Sequence, residues 1–229
     1  MSTELTPPTA ADDATDAPPA IRSVVLCATP GAGEDIVGQA FEACGGGTPR
    51  AWFDVRRVAP ALLEQWEITD LDDYIAALHE RRTTDTGIFG LVLYWHDLRR
   101  IHRQVAGLRQ PTAQRMLDVV EVLAPDPTFV RLRRADRAAH VDALRAREQP
   151  EDAVPDLSAA ERSRLSARID ATETVWTQWF DALGVKPPEL VYEEAVADPA
   201  LVRGLVAGIV GTAATGVRPP RRTPIRRDP

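Results

Sequence analysis

At 229 residues, with 44% hydrophobic side chains and a formal charge of −7, the chain has the size and apolar content of one ordinary domain with a real core. The acidic balance argues against a nucleic-acid partner. No apolar run is long enough to span a membrane and no charged-then-apolar leader opens the chain, so a cytoplasmic protein without membrane association is expected.

The charge is uneven: residues 1–20 carry −4 and residues 218–229 carry +4. The first segment, rich in Pro, Ala, Thr and Asp, reads as a disordered tail. Val24–Ala28 is a continuous apolar run, typical of a central parallel strand. A helix follows to about Cys44, with Ile36, Val37, Ala40 and Phe41 inward, and Gly45–Gly47 stop it. Trp52–Phe53 reads as a short extended piece, and Asp70–Arg82 as an amphipathic helix. Ile88–Trp95 is a second buried strand. Thr112–Leu123 is a helix ended by Pro125 and Pro127, Phe129–Arg133 a third strand, and Asp136–Arg147 a helix.

Gln149–Asp156 is a polar loop, and Ser158-Ala-Ala-Glu161 a capping box that opens the next helix. Its stripe of Leu165, Ile169, Trp176, Phe180 and Leu183 predicts a core face, and Gly184 ends it. Leu190–Tyr192 is a fourth strand, Pro199–Val210 the last helix, and 216–229 a proline- and arginine-rich tail. The domain thus spans 21–215. Strands alternating with helices predict an α/β fold of three layers, a mainly parallel sheet covered on both faces. In such sheets ligands bind beyond the carboxyl ends of the strands, so the loops after Ala28, Trp95, Arg133 and Tyr192 share one functional rim.

Cys27 and Cys44 read as structural thiols of a reducing compartment. His79, His96, His102 and His140 lack metal-ligand spacing, so no metal is expected. Lys186 is the single lysine, which leaves no lysine-based chemistry to share. The stretch Ser23–Val37 has the layout of a strand, a glycine turn and a helix start, the usual place for a phosphate on backbone N–H groups. Its residues do not suit that ligand. Pro30, Gly31, Ala32, Gly33, Glu34 and Asp35 stand where hydroxyls and a cation are wanted, and two carboxylates compete with an anion for the helix dipole.

Four segments, Val24–Gly45, Gly87–Trp95, Phe129–Ala146 and Trp176–Pro199, resemble in order the bacterial sulfotransferases of the trehalose 2-sulfotransferase type. The last contains Val191-Tyr-Glu-Glu-Ala-Val-Ala-Asp-Pro199, similar to a closing signature of many sulfotransferases. The resemblance implies a P-loop-like fold and transfer of sulfate from 3′-phosphoadenosine 5′-phosphosulfate to a sugar hydroxyl. In such a transfer fixed donors and cations must face the transferring oxygens.

Matched to that family, Gly31 and Ala32 stand where an arginine and hydroxyls are expected, and Gly33 keeps the family residue. Val92 replaces a lysine. Arg134, with Arg133 beside it, matches the arginine that holds the 3′-phosphate, and Ala143 falls at the serine that should follow. Ala51 takes the place of the proposed catalytic glutamate. The candidate donor-binding residues are therefore Gly31, Gly33, Arg133 and Arg134. His96 and Glu34 are candidates for proton transfer, and Trp52 and Trp95 for a sugar face. Each has a plainer reading: a tight turn for the glycines, ion pairs with Asp136 or Asp142 for the arginines, a dipole partner for Glu34, solvent for His96.

The first functional expectation is a sulfotransferase-family protein with a degenerate donor site, weak or no transfer, and a binding or accessory role. The second is an active enzyme acting on a sugar or small-molecule hydroxyl with a rearranged arginine site, Arg221, Arg222, Arg226 and Arg227 of the tail being a further supply. A homodimer or a protein partner fits either. An unrelated phosphate-loop enzyme is disfavoured by the missing Gly-Lys-Ser/Thr.

Overall fold

The computed structural model describes residues 20–106, 111–149 and 157–212. The two expected tails, the 216–229 arginines and all but the first residue of the Gln149–Asp156 loop lie outside them, except Ala20. Four strands, β1 (Arg22–Ala28), β2 (Ile88–Tyr94), β3 (Pro127–Arg133) and β4 (Glu189–Val191), form one sheet in the order β2-β1-β3-β4. Every pairing is parallel, with Ala28 beside Tyr94, Cys27 beside Arg131 and Arg133 beside Val191. The fold is α/β, as the alternation of elements predicts.

Alternation along β1 builds both faces of the sheet. Val25 and Cys27 join one cluster with Phe89, Leu91, Leu93 and Phe129. Helices α3 (Leu71–Arg82), α4 (Trp95–Ala106), α5 (Ala113–Leu123) and α7 (Ala159–Leu183) cover it through Leu78, Leu98, Met116 and Trp176. Val24, Leu26 and Ala28 join the opposite cluster with Val92, Tyr94, Val130 and Leu132. There α1 (Glu34–Ala43), α8 (Tyr192–Ala197) and α9 (Pro199–Thr212) supply Phe41, Ala195 and Val206. Helix α6 (Arg137–Glu148) packs on α7 through Val141, Leu144 and Ile169.

Several sequence expectations need correction. Trp52–Phe53 is a turn, not an extended piece; Ala51 N-terminal to it accepts from Asp54 N–H at 2.9 Å. A short helix, α2 (Ala59–Trp66), follows it. The second strand stops at Tyr94, and Trp95 opens α4 with no intervening loop. β4 stops at Val191, so Tyr192 opens α8 rather than closing a strand.

Because all four strands run one way, their carboxyl ends share a rim. β1 connects to β2 on one side while β3 lies on the other, which puts the switch in strand order at the end of β1. The turn 29–33 sits there.

Candidate functional site

The turn after β1 needs its two glycines for packing. Gly31 (φ +83°) and Gly33 (φ +91°) lie in the left-handed region that side chains avoid. A Cβ on Gly31 would stand 2.8 Å from the Leu144 backbone nitrogen of α6, and one on Gly33 would overlap the Tyr192 ring of α8. Two helices thus close over the turn. His140 of α6 adds a further tie: its Nε2–H donates to the Pro30 carbonyl at 3.1 Å, which leaves Nδ1 buried without a hydrogen-bond partner.

Glu34, first residue of α1, is only 2% exposed. Three donors converge on its Oε1: Gly31 N–H at 3.2 Å, the Tyr94 hydroxyl at 2.5 Å and Arg147 Nη1 at 3.1 Å. Its Oε2 is buried without a hydrogen-bond partner. Arg147, near the end of α6, also donates from Nη2 to Asp54 Oδ2 at 2.8 Å, and its guanidinium lies 5.1 Å from the Tyr94 ring centre. Burial alone would pull the Arg147 guanidinium down; Tyr94, Glu34 and Asp54 together hold it above the ordinary arginine value. Tyr94 is driven well up, first by burial and then by the Glu34 carboxylate, so it stays a neutral donor. Asp54 is fixed in turn by Arg56 N–H at 3.0 Å.

A second group borders the first. Asp97 is buried in the opening turn of α4 and pairs with Arg100 at 3.4 Å and with His96 Nε2 at 3.6 Å. Burial raises the Asp97 carboxyl, and the charges of His96 and Arg100 oppose the rise. Arg100 also donates to the Phe53 carbonyl at 2.7 Å, tying α4 to the Trp52–Asp54 turn.

Described residues hold no group of three His, Cys, Asp or Glu suited to a metal, and no described helix is long and apolar enough to cross a membrane. A family model described as Stf0 sulphotransferase matches residues 23–223. The chain belongs to the Stf0 sulphotransferase family. No curated protein matches it. A gluconokinase from Sinorhizobium meliloti 1021 is similar in structure over 85% of this chain and 94% of its own, at 15% identity and a TM-score of 0.37.

Within this Stf0 chain the sequence candidates fall in different places. Gly31, Gly33 and Glu34 meet at the turn, and Arg134 joins them by donating from Nη1 to the Gly31 carbonyl at 3.2 Å. Arg134 lies 4.8 Å from the Tyr192 ring centre and 3.7 Å from Glu193 Oε1. Glu193 accepts from Ala135 and Asp136 N–H at 2.9 and 3.1 Å. Burial works against its charge, but these donors hold its carboxyl below the usual range.

Arg133, one residue earlier on the strand, points to the other face. It pairs with Glu189 at 2.7 Å and Glu173 at 3.4 Å, not with Asp136 or Asp142. His96 stacks on Tyr94 at 5.5 Å with its side chain 63% exposed. Trp52 stands in the core instead of on a pocket wall: it is 4% exposed and donates to the Gly90 carbonyl at 2.8 Å. Trp95 packs edge-on against Trp176 and Trp179 at 5.1 and 6.1 Å, which turns it toward the α7 core. Sequence reasoning missed Arg147, Tyr94, Asp54 and Asp97. An arginine-rich α6 is visible in the chain, but nothing in it marks which arginine turns inward.

Proposed function

We propose that this Stf0-family chain has a degenerate donor site, transfers sulfate weakly or not at all, and serves as a binding or accessory protein. The observation behind this reading is the Gly31 N–H spent on Glu34. In a phosphate loop that donor would meet the ligand; here it meets the chain's own carboxylate. The residues present do not fit 3′-phosphoadenosine 5′-phosphosulfate, the donor the family implies. Glu34 Oε2 is a buried, unpartnered acceptor, and an anion's oxygens bring more acceptors to it. Val92 and Ala51 are apolar and buried where a cation and a base are wanted. Each oxyanion donor contributes about 3 kcal/mol to a transition state of this kind, so loss of several removes most of a normal acceleration.

A second reading, an active enzyme on a sugar or small-molecule hydroxyl, draws support from two guanidiniums, those of Arg134 and Arg147, that reach the turn or its first helical residue. A cytoplasmic setting accords with the free thiols of Cys27 and Cys44. The two readings separate in a transfer assay with labelled donor and a panel of sugar acceptors, trehalose among them. The proposal expects label on no acceptor, or only slightly above the rate without protein. Turnover that is lost in Arg147→Gln would favour the active enzyme.

A further inference from the structure

We infer that Glu34 is an internal anion seated in the oxyanion position of this fold, and that the seat, once vacated, takes a tetrahedral oxyanion such as phosphate or sulfate. The inference rests on the degenerate-donor reading and deepens it. It names what closes the site and which residues would hold a ligand in its place.

The geometry of Oε1 is that of a bound ligand oxygen. One backbone N–H, one neutral hydroxyl and one guanidinium nitrogen, from three separate elements, aim at the same atom within 3.2 Å. Such convergence is how oxyanions are held at a helix N-terminus. An ordinary first-turn carboxylate needs none of it, since it favours the dipole while exposed to water. Asp35, the next residue, shows the ordinary case: its side chain is 73% exposed and only grazes Arg147 at 4.0 Å. Glu34 is buried, and its second oxygen has no partner. A buried acceptor without a donor is costly, and the three contacts on Oε1 offset that cost. A phosphate in the same seat would meet the same three donors.

Arg147 is what makes the seat cationic. It answers two carboxylates, Glu34 and Asp54. Without Glu34 it stays anchored by Asp54, its second amino group free for an incoming anion. Tyr94 remains in β2 and Gly31 in its turn, so the donor set survives the loss of the side chain.

The test is calorimetric titration of the full chain with inorganic phosphate at low salt, comparing wild type with Glu34→Ala. The inference expects Glu34→Ala to bind at least tenfold tighter than any binding by wild type, and the binding to weaken with added salt. The double variant Glu34→Ala/Arg147→Gln should lose the gain. Equal binding by wild type and Glu34→Ala, or none by a folded Glu34→Ala, overturns it. If Glu34→Ala does not fold, Glu34→Ser still vacates the seat and leaves a hydroxyl at the helix start. Phosphate should then raise its melting temperature more than that of wild type, and an equal shift overturns the inference. A wild type that transfers sulfate at an enzyme's rate sinks the degenerate-donor reading and, with it, the inference that rests on it. A wild type without transfer, together with a Glu34→Ala that ignores phosphate, sinks only the inference.

Discussion

Arg147 holds two buried carboxylates with one guanidinium. Its side chain is 15% exposed, against 2% for that of Glu34 and 10% for that of Asp54. Removing one partner of such a cluster leaves uncompensated charge in the interior, which costs about 3 kcal/mol or more. Arg147→Ala should therefore destabilise the fold by that order in urea unfolding, far beyond a surface arginine such as Arg162, which pairs with exposed Asp142. Gly33→Ala should cost about 1–3 kcal/mol through overpacking on the Tyr192 ring, with further strain from the positive φ. An unchanged unfolding midpoint in either variant contradicts the packing described. At this scale the glycine turn was legible in the sequence, because a strand followed by Gly-Ala-Gly has few other uses. Glu34 was legible as a helix-dipole partner or a proton carrier, not as a buried acceptor. Its burial depends on an arginine 113 residues away, and no local pattern reports a contact at that distance.

At the scale of elements, α3, α5, α6 and α7, whose N-cap side chains accept a helix N–H, were read from the chain, while α2 and α8, which lack that bond, were not. Ser158 and Glu161 form the reciprocal cap that their spacing predicts, and Gly184 closes α7 in the left-handed region. Replacing Ser158 with Ala should cost about 1 kcal/mol, readable as a matching loss in thermal unfolding. A neutral result would mean that α7 starts without its cap. By contrast α4 begins at the residue after β2 ends, so no Gly, Pro or capping residue separates strand from helix. The run through Trp95 reads as strand for that reason. The tryptophans misled for a related cause: aromatic residues at a strand end suit a sugar ring and a core equally, and the hydrogen bond from Trp52 to Gly90 decides for the core.

For the whole molecule, the parallel sheet and its common rim followed from the alternation of elements, and the family from the order of four weak segments. The burial of Glu34 under the turn was not readable, because it arises where α1, β2, α6 and α8 come together. That packing has a pH signature. Burial lowers the pKa of His140 below the ordinary histidine value, and its Nδ1 has no partner to receive a proton. The unfolded chain then binds more protons than the folded one once the pH falls below about 6.5. Stability from this residue is complete above that pH and drains away as the pH falls toward the lowered value. His140→Gln should flatten the slope of unfolding free energy between neutral and mildly acid pH relative to wild type. An identical slope in the two proteins would remove His140 from the account.

The most direct test of the central claim, a donor site occupied by the protein itself, is calorimetric titration of the wild-type chain with 3′-phosphoadenosine 5′-phosphate at low and moderate salt. The account predicts no saturable heat up to millimolar nucleotide at either salt concentration. Micromolar binding that weakens with salt would contradict it, for it would mean that a cationic donor site is open despite Glu34.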